Sequence, residues 1–226
     1  MNLYPINLNI RDRLCVVVGG GKVALRKVKS LLGCRAKVRL VSPELCVELQ
    51  RLAEEDLVEW RRKGYETGDL EGAFIAFAAT DRREVQELVV RDGGSTSTMI
   101  NVADSPRDSD FHIPASHRQG RLLLTVSTGG GSPALAARLR RRCAAHYGVE
   151  YDLLIGLMAD VRKKVLAGQT SGEQNQKLFE SLLDSGLELF IAGRDWHSLE
   201  STLRKLLPAD IEAGELVRRL RGRLSD

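Results

Sequence analysis

The stretch VVVGGGKVALRK, residues 16–27, decides how the first half of the chain folds. A β-branched run leads into three consecutive glycines, and apolar residues then recur at helical spacing. Gly19, Gly21 and Ala24 fit the pattern G-x-G-x-x-G/A at a strand-to-helix turn. The first glycine permits the tight turn, the second lets the backbone approach a pyrophosphate, and the small third residue lets helix and strand pack closely. We predict an anion on the helix that begins at Lys22, the alternative being a glycine-rich connection that binds nothing.

Short β-rich runs alternate with helical stretches around this turn. Five strands are predicted, at 14–18, 37–41, 57–60, 74–78 and 99–102. Helices are predicted between them, at 22–32, 44–54 and 82–91. Alternating βα units of this size predict a parallel sheet covered by helices, and the near-continuous apolar run FIAFAA indicates a strand buried on both faces. The fold class is therefore α/β, with a Rossmann-like domain over residues 1–113.

The pattern changes after Pro114. We predict one strand at 121–127, a glycine turn, and a long helix that begins near Ser132 with Pro133 at its first position. One strand and one helix cannot bury their apolar faces alone, so residues 114–149 are expected to form a dimerisation segment. From residue 150 to residue 226 apolar residues recur only at helical spacing, which predicts a small all-helical C-terminal domain.

Composition narrows the class of protein. The 226 residues carry a formal net charge of +4, and the four cysteines include no Cys-x-x-Cys pair. Neither a disulfide framework nor a zinc knuckle is indicated. No leader pattern and no apolar run near the roughly 18 residues of a membrane span occurs, so we expect a cytoplasmic protein with no membrane partner. Arginine clusters at 138–142 and 218–223 fit an acidic ligand or nucleic acid, or solvated helix faces.

Polar loops follow several predicted strands, at the sheet edge where such folds hold ligands. After the second strand come Ser42 and Pro43, where an acidic residue normally takes the adenosine ribose; Glu44 is the nearest acid, which leaves the choice between NAD and NADP open. After the fourth strand, Thr80 can hydrogen-bond a cofactor, and Asp81 is predicted to cap the next helix. The fifth strand leads into the carboxylate-rich loop NVADSPRDSDFHIPA.

Together these residues resemble the N-terminal part of siroheme synthases, a family of precorrin-2 dehydrogenases with or without sirohydrochlorin ferrochelatase activity. The resemblance rests on LNIRDRLCVVVGGGKVALRKVKSLL, VSPEL, AATD, NVADSPRDSDFHIPA and LLLTVSTGGGSPALAARLR. It implies NAD-dependent oxidation of the tetrapyrrole precorrin-2 to sirohydrochlorin by a homodimer. Ferrous iron would be a second substrate if the chelatase reaction also occurs. The fused siroheme synthases add a methyltransferase domain, for which this sequence has no room, so another protein is expected to methylate the precursor.

The resemblance also assigns roles to residues. Asp104 matches the aspartate regarded as catalytically important and would accept a proton, although a turn aspartate before Pro106 is the alternative. Asn101 is expected to orient its loop or to contact the nicotinamide ribose. The predicted cofactor-binding residues are Gly19, Gly20, Gly21, Lys22, Val23, Ala24, Ser42, Pro43, Thr80 and Asn101. The predicted substrate-binding residues are Thr128, Gly129, Gly130, Ser132, Arg118 and Arg138, which would hold substrate carboxylates.

The sequence also bears on metal binding and on a second candidate function. His112 and His117 match no zinc pattern, so we expect hydrogen-bonding histidines and no metal site. The alternative function is an NAD(H)-sensing regulatory module whose basic helices bind a partner or DNA. A sensor has no evident need of the carboxylate-rich loop, and no helix-turn-helix pattern surrounds the first arginine cluster, so the enzyme is favoured and no nucleic-acid partner is expected.

Overall fold

The computed structural model describes residues 3–168 and 172–224 and divides into two compact units between Ile113 and Pro114. The first unit is built on a five-stranded sheet in the order β3-β2-β1-β4-β5, in which every adjacent pair is parallel. Its strands are β1 Leu14–Val18, β2 Lys37–Val41, β3 Glu59–Arg61, β4 Ile75–Ala78 and β5 Met99–Val102. This is the predicted α/β, Rossmann-like fold.

Helices cover both faces of this sheet, which explains why its central strands are apolar throughout. The helices are α1 Lys22–Gly33, α2 Val47–Glu54 and α3 Arg83–Thr96, followed after β5 by a 3-10 turn, Pro106–Asp108. One face buries Val17, Leu40 and Phe77 together with residues of α1 and α2. The opposite face buries Val16, Ala76 and the α3 residue Val89. Because side chains alternate along a strand, β1 and β4 supply both cores.

Several features of the first unit differ from the prediction: β3 lies at Glu59–Arg61 and not at 57–60, and β4 begins at Ile75 and not at residue 74. Helix α2 begins at Val47 and not at residue 44, because the preceding residues form a turn in which the Cys46 N–H donates to Gly20 O at 2.8 Å. Helix α3 continues to Thr96 through two glycines. Asp81 does not cap α3: the cap position is Arg82, whose N–H donates to the Thr80 hydroxyl at 3.3 Å.

The second unit begins with an antiparallel hairpin and not with a single strand. Strands β6 Ala115–Gln119 and β7 Leu122–Val126 pair across a turn in which Gly120 has a φ of 53°. The prediction missed β6 because its sequence, ASHRQ, lacks an apolar run. The hairpin packs against α4 Pro133–His146, which begins as predicted, with Ser132 accepting from the Leu135 N–H at 3.3 Å and Pro133 at the first helical position.

The remaining described residues of the second unit are helical. Five helices follow: α5 Val149–Ala167, α6 Gly172–Asp184, α7 Leu187–Ala192, α8 Trp196–Leu206 and α9 Ala213–Gly222. They enclose one apolar core that includes Leu157, Leu182 and Leu199. The turn between α6 and α7 contains Gly186 in a left-handed conformation, which separates two helices where the sequence reads as one apolar stretch. That residues 114–149 form a dimerisation segment, separate from a helical domain over residues 150–226, stays a prediction.

Candidate functional site

An open groove of about 770 Å³ runs along the carboxyl ends of β1, β2, β4 and β5 in the first unit. Parallel α/β sheets hold ligands at this edge because the strand-end loops and helix N-termini converge there. All of the groove belongs to the first unit. Its lining comprises residues 18–23, 26, 41–46, 64–65, 79–82, 85 and 103–104.

The three consecutive glycines form one wall of the groove, and each has different surroundings. Gly19 has a φ of 125°, and a Cβ there would collide with the Ala79 carbonyl. A Cβ on Gly20 would collide with the Glu44 carbonyl oxygen. A Cβ on Gly21 would meet no atom within 4 Å. Two of the glycines are therefore needed for the turn itself, whereas Gly21 leaves the backbone bare on its open side.

The N-terminus of α1 begins at this bare position. Gly21 is the N-cap residue, no side chain caps the helix, and its first turn contains no acidic residue. The first N–H groups of a helix have no partners within the helix and carry a partial positive charge. Lys22 and Arg26 add positive charge along the groove, while Ala24 is fully buried and lets α1 lie close to the sheet. The arrangement fits the pyrophosphate of a dinucleotide.

The loop after β2 forms the next part of the wall. The Ser42 hydroxyl is buried and donates to the Glu44 carbonyl at 2.7 Å, and the Trp60 indole N–H donates to the Ser42 carbonyl at 2.9 Å. Ser42 therefore shapes the loop, and its hydroxyl hydrogen is engaged. Pro43 and Glu44 are exposed and line the groove. The group available to adenosine ribose hydroxyls is therefore the Glu44 carboxylate.

Thr80 and Asp104 lie in two neighbouring loops at the other end of the same edge. The Ala103 N–H donates to the Ala78 carbonyl at 3.1 Å, which extends the pairing of β4 with β5 beyond the strands and brings the loops together. Both Thr80 and Asp104 line the groove, and Asp104 is exposed. The structure thus places the predicted proton acceptor in the groove that begins at the glycine turn.

A buried glutamine connects these two loops, and the sequence did not predict its role. Gln86, on α3, donates from Nε2 to the Thr80 carbonyl at 2.7 Å and to Asp104 Oδ1 at 3.0 Å. Its side chain is only 3% exposed. The available signal is its position three residues before Val89, on the helix face that turns toward the sheet, where a polar side chain needs a buried partner.

Asn101 is placed apart from the groove lining, unlike the other strand-end residues assigned to the cofactor. It is buried on the α1 side of β5, where Oδ1 accepts from Lys27 Nζ at 3.2 Å and Nδ2 donates to the Phe111 carbonyl at 2.9 Å. Of its two expected roles, this geometry corresponds to orienting the loop. The Lys27 ammonium also lies 4.9 Å from the Phe77 ring centroid, and burial, with a smaller effect of Arg26, lowers the pKa of Lys27 to about 8.

The predicted substrate-binding residues lie in the second unit. The Thr128 hydroxyl accepts from the Ser132 N–H at 3.1 Å, and Gly129 and Gly130 both have positive φ values. This second glycine turn is therefore an ordered N-terminus for α4. Arg118 on β6 and Arg138 on α4 are exposed, and neither has an ion pair among residues 3–168 and 172–224.

The two histidines on either side of Pro114 have hydrogen-bond partners. His112 Nε2 lies 3.2 Å from the Pro106 carbonyl, and His117 Nε2 lies 3.2 Å from the Tyr147 carbonyl. Within the described part of the chain, no three His, Cys, Asp or Glu side chains are grouped so that they would hold a metal ion. In that same part, every helix is too short or too polar to cross a membrane.

Comparisons with known proteins also indicate a nucleotide-binding domain and a similarity to siroheme synthases. A protein-family model described as "Putative NAD(P)-binding" matches residues 6–115. The siroheme synthase of Thioalkalivibrio sulfidiphilus is 35% identical over 213 residues, which are 94% of this chain and 43% of that protein. The siroheme synthase of Methylococcus capsulatus is 35% identical over 195 residues, 86% of this chain and 41% of that protein. The chain thus spans less than half the length of the curated relatives it matches.

A solved structure shows the same fold. SirC, a precorrin-2 dehydrogenase, superposes with a TM-score of 0.72 at 23% sequence identity, covering 97% of this chain and 100% of that one. The resemblance inferred from the sequence is confirmed: along nearly all of its length the chain is similar to siroheme synthases, and its fold is that of a precorrin-2 dehydrogenase.

Proposed function

We propose that this chain catalyses the NAD-dependent oxidation of precorrin-2 to sirohydrochlorin. The observation that carries the proposal is a single groove that contains both a bare helix N-terminus suited to a pyrophosphate and the carboxylate of Asp104. The names of the similar proteins, siroheme synthase and precorrin-2 dehydrogenase, supply the substrate class. The product of this step lies on the route to siroheme.

NAD, when bound, supplies the hydride acceptor. The backbone N–H groups at Gly21, Lys22 and Val23 would hold its pyrophosphate, and Glu44 would accept hydrogen bonds from the adenosine ribose. Glu44 would also repel a 2′-phosphate, which favours NAD over NADP. The Thr80 hydroxyl accepts from the Arg82 N–H and retains its own hydrogen for the cofactor.

The oxidation removes a hydride and a proton from the tetrapyrrole. Asp104 would accept the proton as a general base, since its carboxylate lies in the groove and no basic side chain is paired with it in the described part of the chain. The substrate carries several carboxylates. Exposed Arg118 and Arg138, with the second glycine turn, are the groups we assign to them.

The direct test is anaerobic incubation of the purified full chain with enzymatically prepared precorrin-2 and NAD, following NADH and sirohydrochlorin by absorbance. We expect both products in equal amounts, with NADP a poorer substrate than NAD. Asp104→Asn should lower kcat by about 100-fold or more and leave NAD affinity unchanged, because Asn keeps an acceptor for Gln86 and loses only the base. If NAD binds and no NADH appears, the NAD(H)-sensing module becomes the better interpretation.

The same protein preparation can be tested for a reaction with ferrous iron and for its oligomeric state. Iron would be a substrate of a second reaction, and siroheme formation faster than in a protein-free control would establish that reaction. We also propose that the active protein is a homodimer formed through the segment at 114–149, with no nucleic-acid or membrane partner. Sedimentation at several protein concentrations measures the assembly.

A further inference from the structure

Gln86 is buried and makes two hydrogen bonds to the loops of the groove, but the proposed reaction assigns it no role. Its amide lies beneath the two loops that carry Thr80 and Asp104, and both hydrogen bonds are well within the usual range, at 2.7 and 3.0 Å. The two acceptors come from loops after adjacent strands, β4 and β5. A single side chain therefore spans the cofactor side and the proton-accepting side of the groove.

The orientation of this amide is determined by chemistry. A backbone carbonyl and an ionised carboxylate can only accept hydrogen bonds, so the nitrogen of the amide must face both of them. An amide nitrogen has two hydrogens, and each is directed to one acceptor. The reversed amide would set its oxygen against two other oxygens in a buried place, which is strongly unfavourable.

The contact selects one oxygen of the carboxylate. Gln86 holds Asp104 by Oδ1, so Oδ2 is the oxygen left to take a proton from a ligand in the groove. Asp104 lies in a turn on the surface, where an exposed carboxylate otherwise rotates among several conformations. A fixed base is more effective than a mobile one because its proton-accepting lone pair stays aligned with the substrate.

We propose that Gln86 is a positioning residue that holds the Asp104 carboxylate, with Oδ2 directed into the groove, and locks it to the Thr80 loop. The inference rests on the proposed dehydrogenase function and deepens it. It assigns to α3 a role in catalysis that passes through Asp104 and not through direct contact with the substrate.

The first test is a double-mutant cycle on the full chain. Gln86→Met keeps the length of the side chain and removes both donors; we expect kcat to fall about 10-fold and KM for precorrin-2 to change little. In the Asp104→Asn background, which has no base to position, the same substitution should change kcat less than about 2-fold. Effects that instead multiply in the double mutant would overturn the proposal, since Gln86 would then act independently of Asp104.

A matched control excludes a general effect of replacing a helical glutamine. Gln50 on α2 also donates from Nε2 to a loop carbonyl, that of Leu45, at 2.9 Å, but has no contact with Asp104. Gln50→Met should leave kcat within about 2-fold of the parent. Circular dichroism and thermal unfolding of each variant show whether it is folded. Should Gln86→Met fail to fold, Gln86→Glu replaces it, because glutamate preserves the shape of the side chain.

The second test does not depend on turnover. In protein labelled with ¹³C at aspartate carboxylates, the Asp104 carboxylate signal is assigned by its loss in Asp104→Asn and followed at one fixed pH. Loss of the Gln86 donor changes the surroundings of the Asp104 carboxylate carbon, so Gln86→Met should move this signal, whereas Gln50→Met should leave it in place. Gln86→Glu should also move the signal, because an ionised carboxylate cannot donate a hydrogen bond as the amide does. A signal that stays in place in both Gln86 variants would refute the contact.

The two tests separate failure of the inference from failure of the proposed function. An inactive parent protein whose Asp104 signal moves in Gln86→Met would reject the dehydrogenase and retain the contact, whereas an active parent whose signal does not move would do the reverse. Other titratable groups near the pair are the same in all variants. They are Lys22, Glu44, Asp81 and Arg82 along the groove, and Arg83, Glu87 and Asp108 beside α3.

Discussion

Gly19, Gly20 and Gly21 are the same residue type, but the space available for a side chain differs at each position. Gly20 faces the backbone of the loop after β2, whereas Gly21 faces open space at the start of α1. A methyl group added at Gly20 would have to displace a carbonyl of the main chain, and one added at Gly21 would displace only what binds there. The two positions therefore separate the structural use of the turn from its use in binding.

We predict that Gly21→Ala folds with an unchanged unfolding temperature and binds NAD at least about 10-fold more weakly. Its backbone, with φ of −92° and ψ of −169°, suits alanine without strain. Gly20→Ala should instead lose about 3 kcal/mol or more of stability, because main-chain atoms cannot yield as a side chain does. Thermal unfolding and calorimetric titration with NAD measure both quantities. Normal NAD binding by Gly21→Ala would show that no pyrophosphate approaches this position.

The buried ammonium of Lys27 predicts how the free energy of unfolding depends on pH. Burial lowers its pKa from the ordinary 10.5 to about 8, so between these values the folded protein holds fewer protons than the unfolded chain. The free energy of unfolding therefore rises with pH across this window, and below about pH 8 the cost of the buried charge is fully present. Relative to Lys27→Met, the parent should gain up to about 3 kcal/mol between pH 8 and pH 10.5.

Urea unfolding of both proteins at several pH values measures this difference. Other titrating groups are common to the two proteins and cancel in the comparison. Lys29→Met, at an exposed position on the same helix, corrects for the general effect of removing a lysine. Parallel pH profiles for the parent and Lys27→Met would contradict the predicted burial of the ammonium.

Helix α3 is the element whose buried face departs most from an ordinary apolar stripe. Its buried residues are Gln86, Val89, Asp92 and Gly93, of which only Val89 is a large apolar side chain. Gln86 holds the loops at the groove, and Asp92 accepts from the buried Tyr65 hydroxyl at 3.0 Å. Gly93 lets the helix lie directly on β5, since a Cβ there would collide with Ile100. The helix is thus fastened by polar contacts and by close approach.

Two adjacent glycines in α3 test the close approach. Gly93→Ala should cost about 1–3 kcal/mol, because the added methyl overlaps the Ile100 side chain and lies near the Thr98 carbonyl. Gly94→Ala has no atom within 4 Å of the new Cβ and should gain up to about 1 kcal/mol from the higher helix propensity of alanine. Denaturant unfolding of the two variants measures both changes in stability. A gain in stability at both positions would argue against this packing of α3 on β5.

The same elements show which parts of the structure the sequence predicts. Strands β1, β2 and β5 match their predicted bounds, because each is rich in buried apolar residues and is followed by a turn of recognisable chemistry. Strand β6 was missed because hairpin pairing, and not hydrophobic patterning, holds ASHRQ extended. In the site, a motif predicts the glycine turn, and the family resemblance predicts the role of Asp104. The role of Gln86 is not predicted, because its function depends on a contact between a helix and loops that are distant in sequence.

At the scale of the whole chain, the candidate cofactor site and its supporting core belong to one unit. The groove is lined by residues up to 104, and the contacts that hold Asn101 and Gln86 also stay within the first unit. The family model for NAD(P) binding matches nearly the same region, residues 6–115. The residues proposed to hold substrate carboxylates, in contrast, lie in the second unit. Cofactor binding and turnover should therefore be separable by dividing the chain.

We predict that a fragment of residues 1–113 unfolds cooperatively and binds NAD within about 5-fold of the affinity of the full chain, because its sheet has both faces covered by its own helices. The fragment should not oxidise precorrin-2, since it lacks Arg118, Arg138 and the second glycine turn. Urea unfolding, NAD titration and the anaerobic assay test the three statements, with Gly21→Ala in the fragment as the binding control. A folded fragment that fails to bind NAD would show that the second unit contributes to the cofactor site.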